Sequence, residues 1–75
     1  LPEREFIAGL AEAIKYGIAV DSALFEWLEV HMSAILSRQT KSLTQLIQWC
    51  CQIKSRIVAQ DERDRGLRKV LNFGH

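Results

Sequence analysis

The chain has no apolar run approaching the roughly 18 residues that a membrane span requires, and its first residues lack the basic start and apolar core of a signal peptide. The expected setting is therefore cytoplasmic, with no membrane partner. Cysteine is confined to Cys50 and Cys51, so no disulfide framework and no C-x-x-C site can be written. Adjacent helical residues point about 100° apart, which strains a disulfide between them; both read as small apolar fillers in a reducing compartment. An excess of one charge is also missing, since 10 Lys and Arg face 9 Asp and Glu for a net charge of +1. Arg63, Arg65, Arg68 and Lys69 cluster, but Asp61, Glu62 and Asp64 lie among them. No basic stripe remains for counterion-driven binding, and nucleic acid is not an expected partner. There is one proline, no internal repeat, no low-complexity segment and no alternating pattern long enough for a strand.

What is present is helical periodicity over the 75 residues, 48% of them hydrophobic and 25% charged. That is globular composition, and a chain this short supports one small core, a single domain or part of one. Pro2 suits the first turn of a helix, with Glu3 and Glu5 near its positive end. Phe6, Ile7, Leu10, Ile14 and Ile18 then recur at three- and four-residue steps, which predicts a first helix from about Pro2 to Val20. Gly9 and Gly17 interrupt it, a sign of close packing or a bend. Asp21 is placed to cap a second helix, Ser22 to about Ser37, with Leu24, Trp27, Leu28, Met32 and Ile35 on its apolar side. His31 lies beside that stripe and reads as a half-buried packing residue. Thr40 or Ser42 can cap a third helix whose stripe is Leu43, Leu46, Ile47, Cys50, Ile53, Ile57 and Val58. The run Asp61 to Arg65, closed by Gly66, reads as a charged turn before a last helix from Leu67. The expected architecture is all-α, with about four helices.

Three groups of polar residues stand out against this pattern. On the back of the first helix Glu12 and Lys15 are framed by Ala8 and Ala19. They are either an exposed i, i+3 pair or groups that something approaches closely. Lys54 falls within the apolar stripe of the third helix, where its ammonium must snorkel to water or meet an anion. In the last helix Arg68, Asn72 and His75 stand at i, i+4 and i+7 on one narrow face, an arrangement that fits either an ordinary polar surface or the edge of a polar pocket.

Leu1-Pro2-Glu3-Arg4-Glu5-Phe6, Ala8-Gly9-Leu10-Ala11-Glu12, Ile14-Lys15-Tyr16-Gly17, Lys54, Asp61-Glu62-Arg63, Gly66-Leu67-Arg68 and Leu71-Asn72-Phe73-Gly74-His75, taken in this order and spacing, resemble 3-dehydroquinate synthase. The resemblance runs from the first residue to the last, with Ala13 in place of the family's usual valine as a small departure. It implies that residues 1–75 are part of the C-terminal helical, metal-binding domain of a two-domain enzyme. The NAD-binding α/β domain and the rest of the helical domain would lie outside this chain. By the same resemblance Glu12 and His75 correspond to ligands of a catalytic zinc (or cobalt). Lys15 and Lys54 correspond to active-site lysines that also bind substrate, and Arg68 and Asn72 to residues that contact it.

The implied reaction converts a seven-carbon keto-acid phosphate (DAHP) to 3-dehydroquinate with loss of phosphate, a step of the shikimate pathway to aromatic amino acids. NAD and zinc serve the whole enzyme, which is expected to be a homodimer. A catalytic zinc usually takes three protein ligands, and only Glu12 and His75 are present. The family's next histidine would lie four residues beyond His75, in a Thr/Ser-x-Gly-His continuation, and no Gly-x-Gly-x-x-Gly loop is available for a dinucleotide. The segment alone is therefore expected to be inactive and to bind neither cofactor tightly. Two rival readings are a related sugar-phosphate cyclase of the 2-deoxy-scyllo-inosose synthase type, and a non-catalytic helical module that self-associates through Trp27, Leu36, Trp49 and Cys51.

Overall fold

Three helices follow one another in the computed structural model, which describes residues 2–73 and the side chains of residues 2–66: α1 (Glu3–Ala19), α2 (Ser22–Leu36) and α3 (Thr40–Phe73). Among the described residues there is no strand, and no helix is long and apolar enough to cross a membrane. The all-α expectation holds, and the first two helices begin and end within a residue or two of where the periodicity put them. The core is built from Phe6 and Ala13 of α1, Leu24, Leu28 and Ile35 of α2, and Leu46 and Ile53 of α3. Leu24, Ile35 and Ile53 are fully buried, and removing each such side chain from water stabilises the bundle by about 1.5–3 kcal/mol.

The turns explain how the helices pack. Gly17 lies so close to α2 that an added Cβ would stand 3.0 Å from the Phe25 Cα and 3.1 Å from its backbone nitrogen. Only hydrogen at this position lets the end of α1 meet the start of α2. Asp21 then caps α2, its Oδ1 accepting from the backbone N–H groups of Ala23 (3.1 Å) and Leu24 (3.4 Å). At the far end of α2, Arg38 takes φ of 58°, the left-handed conformation that usually falls to glycine. Its N–H donates to the Ile35 carbonyl at 2.9 Å, and that of Gln39 donates to Ala34 at 3.0 Å, which closes the helix end as a Schellman turn. A glycine could make the same turn, but Arg38 also pairs with Glu3 and lays its guanidinium 4.1 Å from the centre of the Phe6 ring. The second turn is thereby fastened to the start of α1.

Several expectations need correction. The predicted stripe of α1 holds in part: Phe6 is buried and Leu10 and Ile14 pack against the core, whereas Ile7 is 56% and Ile18 71% exposed, and Ala13 and Gly17 are buried instead. Small residues, not the largest ones, mark the closest helix contact. Trp27 and Trp49 do not form an outer surface, because their rings face each other at 5.9 Å and pack against the core. His31 meets its expectation, stacked on Trp27 at 4.4 Å with Nδ1–H donating to the Trp27 carbonyl at 2.9 Å. Of the two cysteines, Cys50 packs against the core, but Cys51 is exposed and is no filler.

The largest difference is α3, which runs unbroken through the expected turn at residues 61–66, giving three helices in place of about four. The charged run supports the helix, with Arg65 reaching Asp61 at 3.3 Å and the Gln60 amide donating to Asp64 at 3.2 Å, both i, i+4. Gly66 keeps negative φ, so it costs the helix about 1 kcal/mol without ending it.

The two glycines are expected to respond oppositely to alanine. Gly17→Ala forces α1 from the α2 backbone and costs about 1–3 kcal/mol by overpacking, against a gain near 1 kcal/mol in helix propensity; a lower denaturation midpoint checks it. Gly66→Ala meets no atom within 4 Å and should stabilise α3 by about 1 kcal/mol, seen as higher ellipticity at 222 nm. Asp21 gives a pH prediction. The indole hydrogen bond from Trp49 holds its carboxyl below the ordinary aspartate range, helped by the Leu24 and Ala23 amides and by Arg56. A lowered folded value means that its contribution is complete above about pH 4 and is lost as pH falls through the folded value. Asp21→Asn, which can still cap α2, should lower stability at neutral pH and flatten the acid limb of a stability-against-pH curve.

Candidate functional site

The α1 positions one helical turn apart place Glu12 and Tyr16 on the same edge, and packing α1 against α3 leaves a groove of about 290 Å³ beside them. Leu10 and Ala13 of α1 and Leu43, Leu46 and Cys50 of α3 make its walls apolar. Its charged groups are Glu12 on one side and Lys54 on the other. Lys54 comes to the groove because Ile53, its neighbour in sequence, points into the core while the next position on the helix turns to the rim. Its side chain is exposed, as snorkelling requires.

Glu12 is not paired with Lys15. Its Oε1 accepts the Tyr16 hydroxyl at 2.8 Å, and the salt bridges among the described residues do not include it. The hydrogen bond, seconded by partial burial and the charge of Glu12, raises the Tyr16 phenol above its ordinary value. The phenol thus stays a neutral donor at physiological pH. Burial likewise raises the Cys50 thiol, with Glu12 and Cys51 acting in the same direction, which disfavours a thiolate next to the groove.

The structure therefore brings Glu12 and Lys54 to one groove. Lys15 is exposed on α1, three residues from Glu12, and does not line that groove. Arg68 and Asn72 lie in α3 at an i, i+4 spacing, but their side chains are outside the described residues, as is His75 altogether. Among the described residues no three of His, Cys, Asp or Glu converge as a metal site. Tyr16 is the residue that sequence reasoning passed over. Its i, i+4 spacing from Glu12 was the available signal.

A family model described as 3-dehydroquinate synthase C-terminal matches residues 9–75. The chain belongs to that family. It is also 56% identical over all 75 residues to a 3-dehydroquinate synthase of Teredinibacter turnerae. Proteins of that name from Desulforamulus reducens and Acidithiobacillus ferrooxidans are 53% and 55% identical over the same span. In each case the whole chain aligns with 21% of the relative's length. No solved structure matches.

Glu12 suits a metal on donor chemistry. It is an exposed carboxylate with one oxygen held by Tyr16, and among the described residues no hydrogen bond or salt bridge engages the other. Glu12→Gln keeps the shape and the Tyr16 hydrogen bond and should leave the unfolding free energy of this chain within about 0.5 kcal/mol of the parent, as exposed substitutions do. Calorimetry of the two proteins checks that.

Proposed function

We propose that residues 1–75 form part of the C-terminal helical domain of a 3-dehydroquinate synthase, and that the whole polypeptide converts DAHP to 3-dehydroquinate with release of phosphate. The observation that carries this is the identity of more than half of all 75 positions with proteins of that name. Glu12 and Lys54 facing one groove supports the placing of the chemistry. In this reading Glu12 and His75, with ligands from outside the chain, hold zinc or cobalt, which when bound supplies Lewis-acid polarisation of substrate oxygen. NAD is bound by the part of the polypeptide that precedes this domain.

The chain's own residues bind and orient. Lys54 and Lys15 present ammonium groups to the carboxylate and phosphate of the substrate, where a fixed cation forms charge-assisted hydrogen bonds. Arg68 adds a guanidinium suited to bidentate contact with either anion, and Asn72 a carboxamide for a hydroxyl. The apolar groove wall behind Lys54 keeps water from that side and strengthens its attraction for an anion. Holding one flexible substrate through successive steps is mainly a matter of position.

The isolated 75-residue chain is expected to show no turnover of DAHP and at most weak zinc binding. In the whole enzyme, Lys54→Ala should lower kcat/KM by at least tenfold without loss of fold, and phosphate release with DAHP measures it. Unchanged kcat/KM would remove Lys54 from the substrate site. Parallel assay on the substrate of 2-deoxy-scyllo-inosose synthase separates the cyclase reading. Self-association has its own support, since Ile7, Ile18, Val30, Leu36 and Ile47 are all more than half exposed. Light scattering across a concentration series tests it, and a monomer throughout would end that reading.

A further inference from the structure

We propose that Tyr16 is a positioning residue for Glu12: its hydroxyl holds Oε1 so that the second carboxylate oxygen is presented to the metal. This rests on the reading of Glu12 as a metal ligand. The two residues lie one helical turn apart on α1, and the hydroxyl donates to Oε1 at 2.8 Å. Tyr16 is suited to the task because only its tip is free. Its ring is half-buried and packs against the core cluster. Its carbonyl accepts from the N–H groups of both Val20 and Asp21 at 2.9 Å, which fixes the backbone beneath it. Glu12, in contrast, is exposed, with three rotatable bonds and no other partner among the described residues.

An unrestrained glutamate would lose that freedom on coordinating a metal, whereas one already held by a rigid phenol has lost much of it beforehand. Neither Lys15 on the same helix nor Lys54 across the groove forms a salt bridge with Glu12. A hydrogen bond to one oxygen of a ligating carboxylate is a common outer-shell arrangement, and its loss typically weakens metal binding by about 10- to 100-fold.

The test uses the full-length enzyme containing this segment, with Tyr16→Phe and Glu12→Ala, and cobalt(II) as the probe. Chelator competition gives affinity, the visible d–d bands report the ligand field, and the thermal midpoint of the metal-free protein reports packing. Tyr16→Phe keeps the ring, so the metal-free midpoint should be nearly unchanged while affinity falls about 10- to 100-fold and the bands shift. Unchanged affinity and bands in Tyr16→Phe, alongside loss of binding in Glu12→Ala, would overturn the positioning role and leave the ligand reading intact. Full cobalt affinity in Glu12→Ala would overturn the ligand reading, and the positioning role with it.

Discussion

One carboxylate joins all three helices. Asp21 stands in the two-residue link between α1 and α2, and its Oδ1 caps the second helix. Its Oδ2 accepts the Trp49 indole N–H from α3 at 2.9 Å, with Arg56 of the same helix at 3.8 Å. Without the cap, α2 would begin with unsatisfied amides. Without the indole, the third helix would meet the other two through apolar contact, which is non-directional, and the longer, exposed Arg56–Asp21 pair, which together leave rotation of α3 weakly specified. The Trp49 contact fixes that rotation. The same rotation buries Ile53 and turns Lys54 to the groove beside Glu12, so the site geometry follows from a hydrogen bond on the opposite side of α3.

Much of this was legible in the sequence, though unevenly. The cap at Asp21 could be read because an aspartate immediately before an apolar-periodic segment has a local purpose. Its bond to Trp49 could not, because the partners are 28 residues apart and nothing in either neighbourhood signals the other. Ile7 and Ile18 were assigned inward by hydrophobicity, whereas Ala13 and Gly17 mark the real contact. Helices that approach closely select for small side chains, so a pattern of large apolar residues finds Phe6, Leu10 and Ile14 on the packed face but misplaces its edges. The turn at Gly66 failed for a different reason. Glycine ends a helix when the chain passes into the left-handed region, and at Arg38 it is a non-glycine that does so while Gly66 does not. Punctuation by residue type is a weaker rule than the backbone conformation it stands for.

The candidate site shows the same division. Glu12, Lys15 and Lys54 were marked as odd by their surroundings alone, and the structure brings Glu12 and Lys54 to one groove. That pairing depends on the packing of α1 against α3, which periodicity does not specify. Tyr16 was within reach of the helical spacing rule, but an aromatic next to a glycine reads first as core. It is both: the ring belongs to the packing and the hydroxyl to the carboxylate.

A division of labour along α3 follows. Up to Ile53 the helix is part of the core, and from Lys54 to Gly66 every residue is exposed, including Ile57 and Val58. Exposed β-branched residues lower helix propensity, so Ile57 and Val58 weaken this half of the helix without gaining burial within the bundle. The relatives are about five times as long as this chain, which aligns with 21% of their length. Lys54 stands at the boundary between the two halves. Its position relative to Glu12 is set by the packed half. A cation whose backbone is fixed by a packed bundle faces the groove in a preorganised position, which the exposed end of its side chain reaches from the rim.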